Sequence, residues 1–321
     1  MSALVSRQVT RLLLDRWAIA LVLAAIYWAG LALSPTAFGD PAYLLNTVRQ
    51  IAPVGIAAIG VTMVMILGGV DLSVGAVISM TVVVSAAVMD GSAPNLPLAI
   101  TQACCAGMVV GAINGVLIAF SRVSPFILTL GMGIAVIGLT QMLTGGTARG
   151  AVSPGFREVF NARLGDVLPV LALVLVGLAA VGLVIEKRTL FGRQLFLLGS
   201  NGEAARLAGL PVRPITITAY TLSGLFAALA GLALMARSGV SGTQAGQGME
   251  FQVLAAVVVG GTTFEGRRGG ITGTVIGVLV LGLAFNLVKV ICLPYHTQLV
   301  VVGAIIITAS ALYGYLNRTF D

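Results

Sequence analysis

The chain has 321 residues, 58% of them hydrophobic and 9% charged, where a soluble domain carries about 25% charged residues. So few charges cannot clothe a particle of this size in a water-compatible surface, which excludes a soluble enzyme or binding module. The net charge of +7 is a topology signal and not a nucleic-acid footprint, because the Lys and Arg of membrane proteins gather in cytoplasmic connections.

A spanning helix needs roughly 20 mainly apolar residues. Such runs are predicted, in chain order, at 17–34, 50–69, 72–89, 97–120, 125–145, 167–185, 214–236, 247–264, 270–291 and 297–316. They make an all-α polytopic membrane protein of about ten transmembrane helices, one domain over 1–321, with its main hydrophilic connection at 187–213. The first run follows Arg7, Arg11 and Arg16 as a signal peptide would. It is long for such a segment and lacks a small-residue cleavage site, so it is expected to remain as the first span.

With the N-terminus inside, Arg7, Arg11, Arg16, Arg122, Lys187, Arg188, Arg193, Arg206, Arg213, Arg267, Arg268 and Arg318 fall in cytoplasmic segments. Only Arg149, Arg157, Arg163 and Arg237 fall outside, while Arg49 and Lys289 sit at outer span ends, where long side chains reach the headgroups. Both termini are therefore expected in the cytoplasm. The junction Gly68-Gly69-Val70-Asp71 and the short eighth run, which includes Glu250, are candidates for re-entrant or broken helices. Gly107, Gly111 and Gly115, and again Gly273 and Gly277, form G-x-x-x-G steps that predict close helix packing. Ile66 to Gly75 and Val258 to Arg267 share one cast, an apolar run, a glycine pair, an acid and another glycine, which hints at an internal repeat.

Several chemistries are missing. Every carboxylate lies in a connection or at a span end, with Asp71, Glu250 and Glu265 nearest the membrane, so no intramembrane proton relay is predicted. The two lysines, Lys187 and Lys289, do not complete a phosphate-binding G-x-x-x-x-G-K-[ST] loop. His296 is the only histidine, and Cys104, Cys105 and Cys292 show neither metal nor disulfide spacing. No catalytic residue, metal or cofactor is expected, and the chain is not expected to be an enzyme.

In the 187–213 connection, Asn201 can cap a helix with Gly202 and Glu203 in its first turn, and Gly209 with Pro211 can stop it. Two turns are too few to stand unsupported. Ala204, Ala205 and Ala208 would let another surface come close. Read alone, this is equally a capped connector between two spans.

Glu203-Ala-Ala205 with Gly209 resembles the coupling motif by which permeases of ABC importers dock on their ATPases. The chain resembles in particular the permeases of ribose-type and xylose-type sugar importers. The matching stretches are Gly60-Val-Thr-Met-Val-Met-Ile-Leu-Gly-Gly-Val-Asp-Leu-Ser-Val-Gly75, Pro125-Phe-Ile-Leu-Thr-Leu-Gly-Met132, Asn201 to Gly209, Tyr220-Thr-Leu-Ser-Gly224 and Ala255-Ala-Val-Val-Val-Gly-Gly-Thr262. One departure is visible: where the family typically reads Glu-Leu-Asp-Ala-Ile-Ala, this chain reads Glu250-Phe-Gln-Val-Leu-Ala255, with Gln252 in place of the acid.

The resemblance implies an importer-permease fold in a bacterial inner membrane, surrounded by lipid. It implies a cytoplasmic ABC ATPase docked at Arg193, Asn201, Glu203, Ala204, Ala205, Arg206 and Gly209, an extracytoplasmic solute-binding protein, and a second permease chain, identical or paralogous. A path lined by Asn114, Thr129, Gln141, Thr144 and Asn286, without mid-membrane charge, suits a small neutral solute, above all a monosaccharide. Each of these residues also reads as an interhelical hydrogen-bond partner. Gly69, Asp71 and Gly75 are candidates for a gate, and capping of the third span by Asp71 explains that acid equally well. The competing reading is an ATP-independent facilitator or channel.

Overall fold

The computed structural model describes residues 20–121, 123–148, 150–291, 296–297, 300–301, 303–304 and 307. Arg7, Arg11, Arg16, Arg122, Arg149, Arg318 and Cys292 lie outside the described residues, as does most of the expected tenth span. The helices are α1 (Ala20–Leu33), α2 (Pro35–Phe38), α3 (Pro41–Ile66), α4 (Val74–Met89), α5 (Leu96–Phe120), α6 (Pro125–Thr144) and α7 (Pro154–Asn161). After them come α8 (Val170–Arg188), α9 (Leu190–Ser200), α10 (Gly202–Leu207), α11 (Val212–Ser238), α12 (Met249–Val259) and α13 (Ile271–Val290). Among the described residues, six helices are long and apolar enough to cross a membrane: α3, α5, α6, α8, α11 and α13. α1, α4 and α12 are shorter apolar helices. The expected connection after the fifth span folds further than sequence suggested, into the short α7 and an antiparallel pair, Arg163–Leu164 with Leu168–Pro169.

Helix starts follow backbone chemistry. α2, α3, α5, α6 and α7 carry proline in the first turn, where the missing N–H is not needed and the fixed φ already suits a helix. Asp40 caps α3, its carboxylate accepting from the Ala42 N–H at 2.9 Å. α3 and α11 form the centre of the bundle, packed on each other and flanked by α4, α5, α8, α12 and α13, with α6 outside α4. α3 contributes an almost unbroken buried run from Ile51 to Ile66.

Lipid supplies no hydrophobic force to hold helices together, so close backbone packing must do so. Gly107, Gly111 and Gly115 of α5 lie against the backbone of Gly224, Tyr220 and Ile217 on α11 so closely that a methyl group at any of them would overlap it. Gly273 and Gly277 press in the same way on α12, at Gly260 and Ala256. Both predicted glycine steps are thus helix seams. α6 turns Phe126, Ile127, Ile134 and Met142 outward, and α8 turns Val176 and Val184 outward. Aliphatic faces of this kind are compatible with lipid.

Polar contacts distinguish the two ends of the bundle. At one end the C-termini of α3 and α8 meet the N-terminus of α13: Thr62 and Thr274 share a 2.7 Å hydroxyl contact, and Glu186 accepts from the Ile271 N–H at 2.6 Å. α9 belongs to this end, with Gly199 lying on the Ile66 carbonyl. At the other end, Tyr43 and Thr47 of α3 meet Asn286 of α13, and Gln50 meets both Arg237 of α11 and Lys289 of α13.

Candidate functional site

α3 and α4 read in sequence as two nearly continuous apolar runs, but the chain leaves helix geometry between them. Gly68 has φ +87°, a conformation that costs glycine nothing and other residues a good deal, and α4 begins only at Val74. The unwound stretch buries an acid. Asp71 is 2% exposed; its Oδ1 accepts from the Ser73 N–H at 3.0 Å and the Ser73 hydroxyl at 2.6 Å, and its Oδ2 from the Ser223 hydroxyl of α11 at 2.7 Å. Asn114 of α5 donates to the Ser73 Oγ at 2.9 Å. Thr129 of α6 accepts from the Leu72 N–H at 3.1 Å, and the Tyr220 hydroxyl donates to the Val70 carbonyl at 3.3 Å. Away from water, each of these groups would be costly unpaired. Together they tie α4, α5, α6 and α11 to one irregular segment.

A second joint separates α12 from α13. Gly261, Gly266, Gly269 and Gly270 all have positive φ there. Thr262, fully buried, accepts from the Gly270 N–H at 3.3 Å. Glu186 holds the first N–H of α13, where a carboxylate also suits the helix dipole. The two joints touch: the Arg267 N–H donates to the Ile66 carbonyl at 3.3 Å, and Gly68 adjoins Glu265.

Beside these joints, α9 and α10 form a surface elbow. Asn201 caps α10 by accepting from the Ala204 N–H at 3.0 Å. After α10, Gly209 takes φ +80°, its N–H reaching the Arg206 carbonyl while the Leu210 N–H reaches Ala205. These are the start and stop expected from sequence. Ala205 is buried beneath the elbow, while Arg193, Asn201, Glu203, Ala204, Arg206 and Gly209 are exposed. Leu197 and Leu207 are exposed as well, Leu207 at 81%. Glu203 and Arg206 lie 3.6 Å apart across the outer surface, a solvent-screened pair of small energetic value.

At the opposite end a cavity of about 310 Å³ opens between α3, α11, α12 and α13. Its polar lining consists mainly of Gln50, Gln247, Gln252, Asn286, Arg237 and Lys289. Among the described residues no carboxylate lines it.

Comparison with known proteins fits this geometry. The family described as "Branched-chain amino acid transport system / permease component" matches residues 43–310. The chain belongs to this family of transport permeases. The permease is 36% identical over 274 residues to the ribose import permease protein of Escherichia coli strain K12, covering 83% of this chain and 84% of that protein. It is 36% identical over 277 residues to the ribose import permease protein of Bacillus subtilis strain 168, covering 86% and 85%. It is 32% identical over 298 residues to the L-arabinose ABC transporter permease protein of Azospirillum brasilense, covering 92% and 87%. No solved structure matches it significantly. It is a multi-pass membrane protein that forms the permease component of a transport system and is not itself an enzyme.

The residues picked out by sequence separate into groups in the permease. Asn114 and Thr129 join the Asp71 cluster, with Gly69 packed under the Tyr220 hydroxyl. Gly75 adjoins the Glu250 carboxylate and the Gly246 carbonyl, which leave no room for a side chain. Thr144 bonds back to the Thr140 carbonyl of its own helix at 2.8 Å, and Gln141 is half-buried on the same helix. Asn286 alone of the five path candidates lines the cavity. Sequence reasoning passed over Ser73, Ser223 and Glu186. Ser223 lies inside the stretch Tyr220 to Gly224, where a hydroxyl in an apolar helix was the available signal.

Proposed function

We propose that the permease is the translocation subunit of an ATP-driven importer for a monosaccharide. The observation that carries this reading is the similarity over more than four-fifths of the chain to permeases named for ribose, L-arabinose and D-allose. It sits in a bacterial inner membrane with about ten spans and both termini in the cytoplasm, a topology supported by the charge asymmetry of its connections. The elbow of α9 and α10 then faces the cytoplasm, and the cavity faces outward.

A separate ABC ATPase docks at Arg193, Asn201, Glu203, Ala204, Ala205, Arg206 and Gly209. The capped, well-exposed α10 supports this, because a helix this short needs a surface to lie on. An extracytoplasmic binding protein delivers the solute, and a second permease chain completes the path. Asn114, Thr129, Gln141, Thr144 and Asn286 are the uncharged polar groups available to that path. Gly69, Asp71 and Gly75 form the joint that lets α4 change its angle to α3. ATP binding moves the equilibrium between outward and inward access only through the ATPase's differential affinity for the two forms.

Reconstitution in liposomes tests the reading. Monosaccharide uptake is expected only with ATPase, binding protein and ATP all present; uptake by the purified permease alone would establish a facilitator instead. Glu203→Lys or Gly209→Trp should abolish ATPase association in pull-down while membrane insertion is unchanged, and retained association would remove α10 as the docking element.

A further inference from the structure

In a bundle held together by aliphatic side chains and glycine seams, carboxamides gathered around one opening stand out. Gln252 is half-buried at the cavity wall, and its side chain makes no hydrogen bond to any described residue. Gln50 lines the same cavity from α3, its carboxamide held by Lys289 Nζ, which donates to its Oε1 at 2.8 Å, while Arg237 donates to its main-chain carbonyl at 2.8 Å. With Oε1 engaged, the amide NH2 of Gln50 remains as a donor. Asn286 is already committed to Tyr43, Thr47 and the Gly282 carbonyl, so it braces the wall.

An unpaired carboxamide removed from water carries a desolvation cost. Gln252 is therefore tolerable only in a wet cavity or against a polar ligand. The cavity, at about 310 Å³, falls at the small end of small-molecule sites, roughly 300–1,000 Å³. Its charge is one-sided: neither Arg237 nor Lys289 is paired with a carboxylate among the described residues. A cationic solute would meet uncompensated positive charge in a partly desolvated space.

We propose that this cavity is an outer solute-recognition site, in which the hydroxyls of an uncharged monosaccharide exchange hydrogen bonds with the Gln252 and Gln50 carboxamides. Lys289 acts as the positioning residue for the Gln50 carboxamide, and with Arg237 it excludes cationic analogues such as amino sugars. The proposal rests on the importer reading and specifies where its solute first touches the permease. Binding there is weak, because a transit site must release its occupant.

The test uses the permease with its ATPase in vesicles, with Cys104, Cys105 and Cys292 changed to Ser and Gln247→Cys introduced at the exposed rim of the cavity. A membrane-impermeant thiol reagent added outside should label this position. A neutral aldopentose or aldohexose should slow labelling about threefold once the site is about two-thirds occupied, as mass action requires. The corresponding amino sugar should leave the rate unchanged, and adding Lys289→Met should make it protective. The exposed Val240→Cys, outside the cavity lining, should label at one rate throughout. Absence of outside labelling, equal rates with and without neutral sugar, or protection by the amino sugar without the Lys289 change would each overturn the proposal. If ATP-driven monosaccharide uptake is intact while labelling is indifferent to sugar, the site assignment falls alone; if no monosaccharide is taken up, the importer reading falls with it.

Discussion

The segments Ile66 to Gly75 and Val258 to Arg267 are alike in residues and unlike in chemistry. Each has an apolar run, a glycine pair and an acid, and each becomes an unwound joint between helices. In the first, Asp71 is 2% exposed and receives the N–H and hydroxyl of Ser73 and the hydroxyl of Ser223. In the second, Glu265 points to solvent, and the buried carboxylate at that joint is Glu186, brought by α8 to the Ile271 N–H. What a joint needs is an acceptor for its orphaned N–H and O–H groups. Whichever acid can reach them is the one that is buried, whatever the local motif.

This contrast predicts a graded set of mutational effects. Asp71→Ala should be the most damaging, because three buried donor contacts lose their acceptor at once. About 3 kcal/mol or more should appear as a lowered unfolding temperature in lipid or detergent, together with loss of uptake, and Asp71→Asn should fall between the two. Glu186→Ala strips one helix-start N–H of its partner and should cost about 1–2 kcal/mol in the same melts. Thr62→Val breaks the hydroxyl contact with Thr274, both fully buried, and should cost about 0.6 kcal/mol, the scale of an average hydrogen bond between membrane helices. Glu265→Ala should change stability by less than about 0.5 kcal/mol. Were Glu265→Ala as harmful as Asp71→Ala, the two joints would be equivalent after all and the contrast would be lost.

Much of the helical layout was legible because lipid exposure and burial both demand apolar residues. Predicted runs at 97–120 and 125–145 match α5 and α6 within a residue or two at either end. The Gly68-Gly69-Val70-Asp71 break was visible as a conflict between hydropathy and backbone freedom. Asn201 and Gly209 were readable because capping depends only on neighbouring residues. The partners of Asp71 were not readable in that way. Ser223 lies 152 residues away in sequence, and a lone hydroxyl in an apolar helix carries no mark of what it faces. For the same reason nothing in the sequence marked Asn114 and Thr129 as the partners of Ser73 and Leu72. The cavity residues were the least legible, since Gln50, Arg237, Gln252 and Lys289 come from four different helices and converge only in three dimensions.

One oxygen atom links three parts of the chain. The Ile66 carbonyl ends α3, accepts the Arg267 N–H from the second joint, and lies under Gly199 of α9 with no room for a methyl group. Three segments that meet at one atom share its position, so a displacement of α9 against this carbonyl bears on both joints at once.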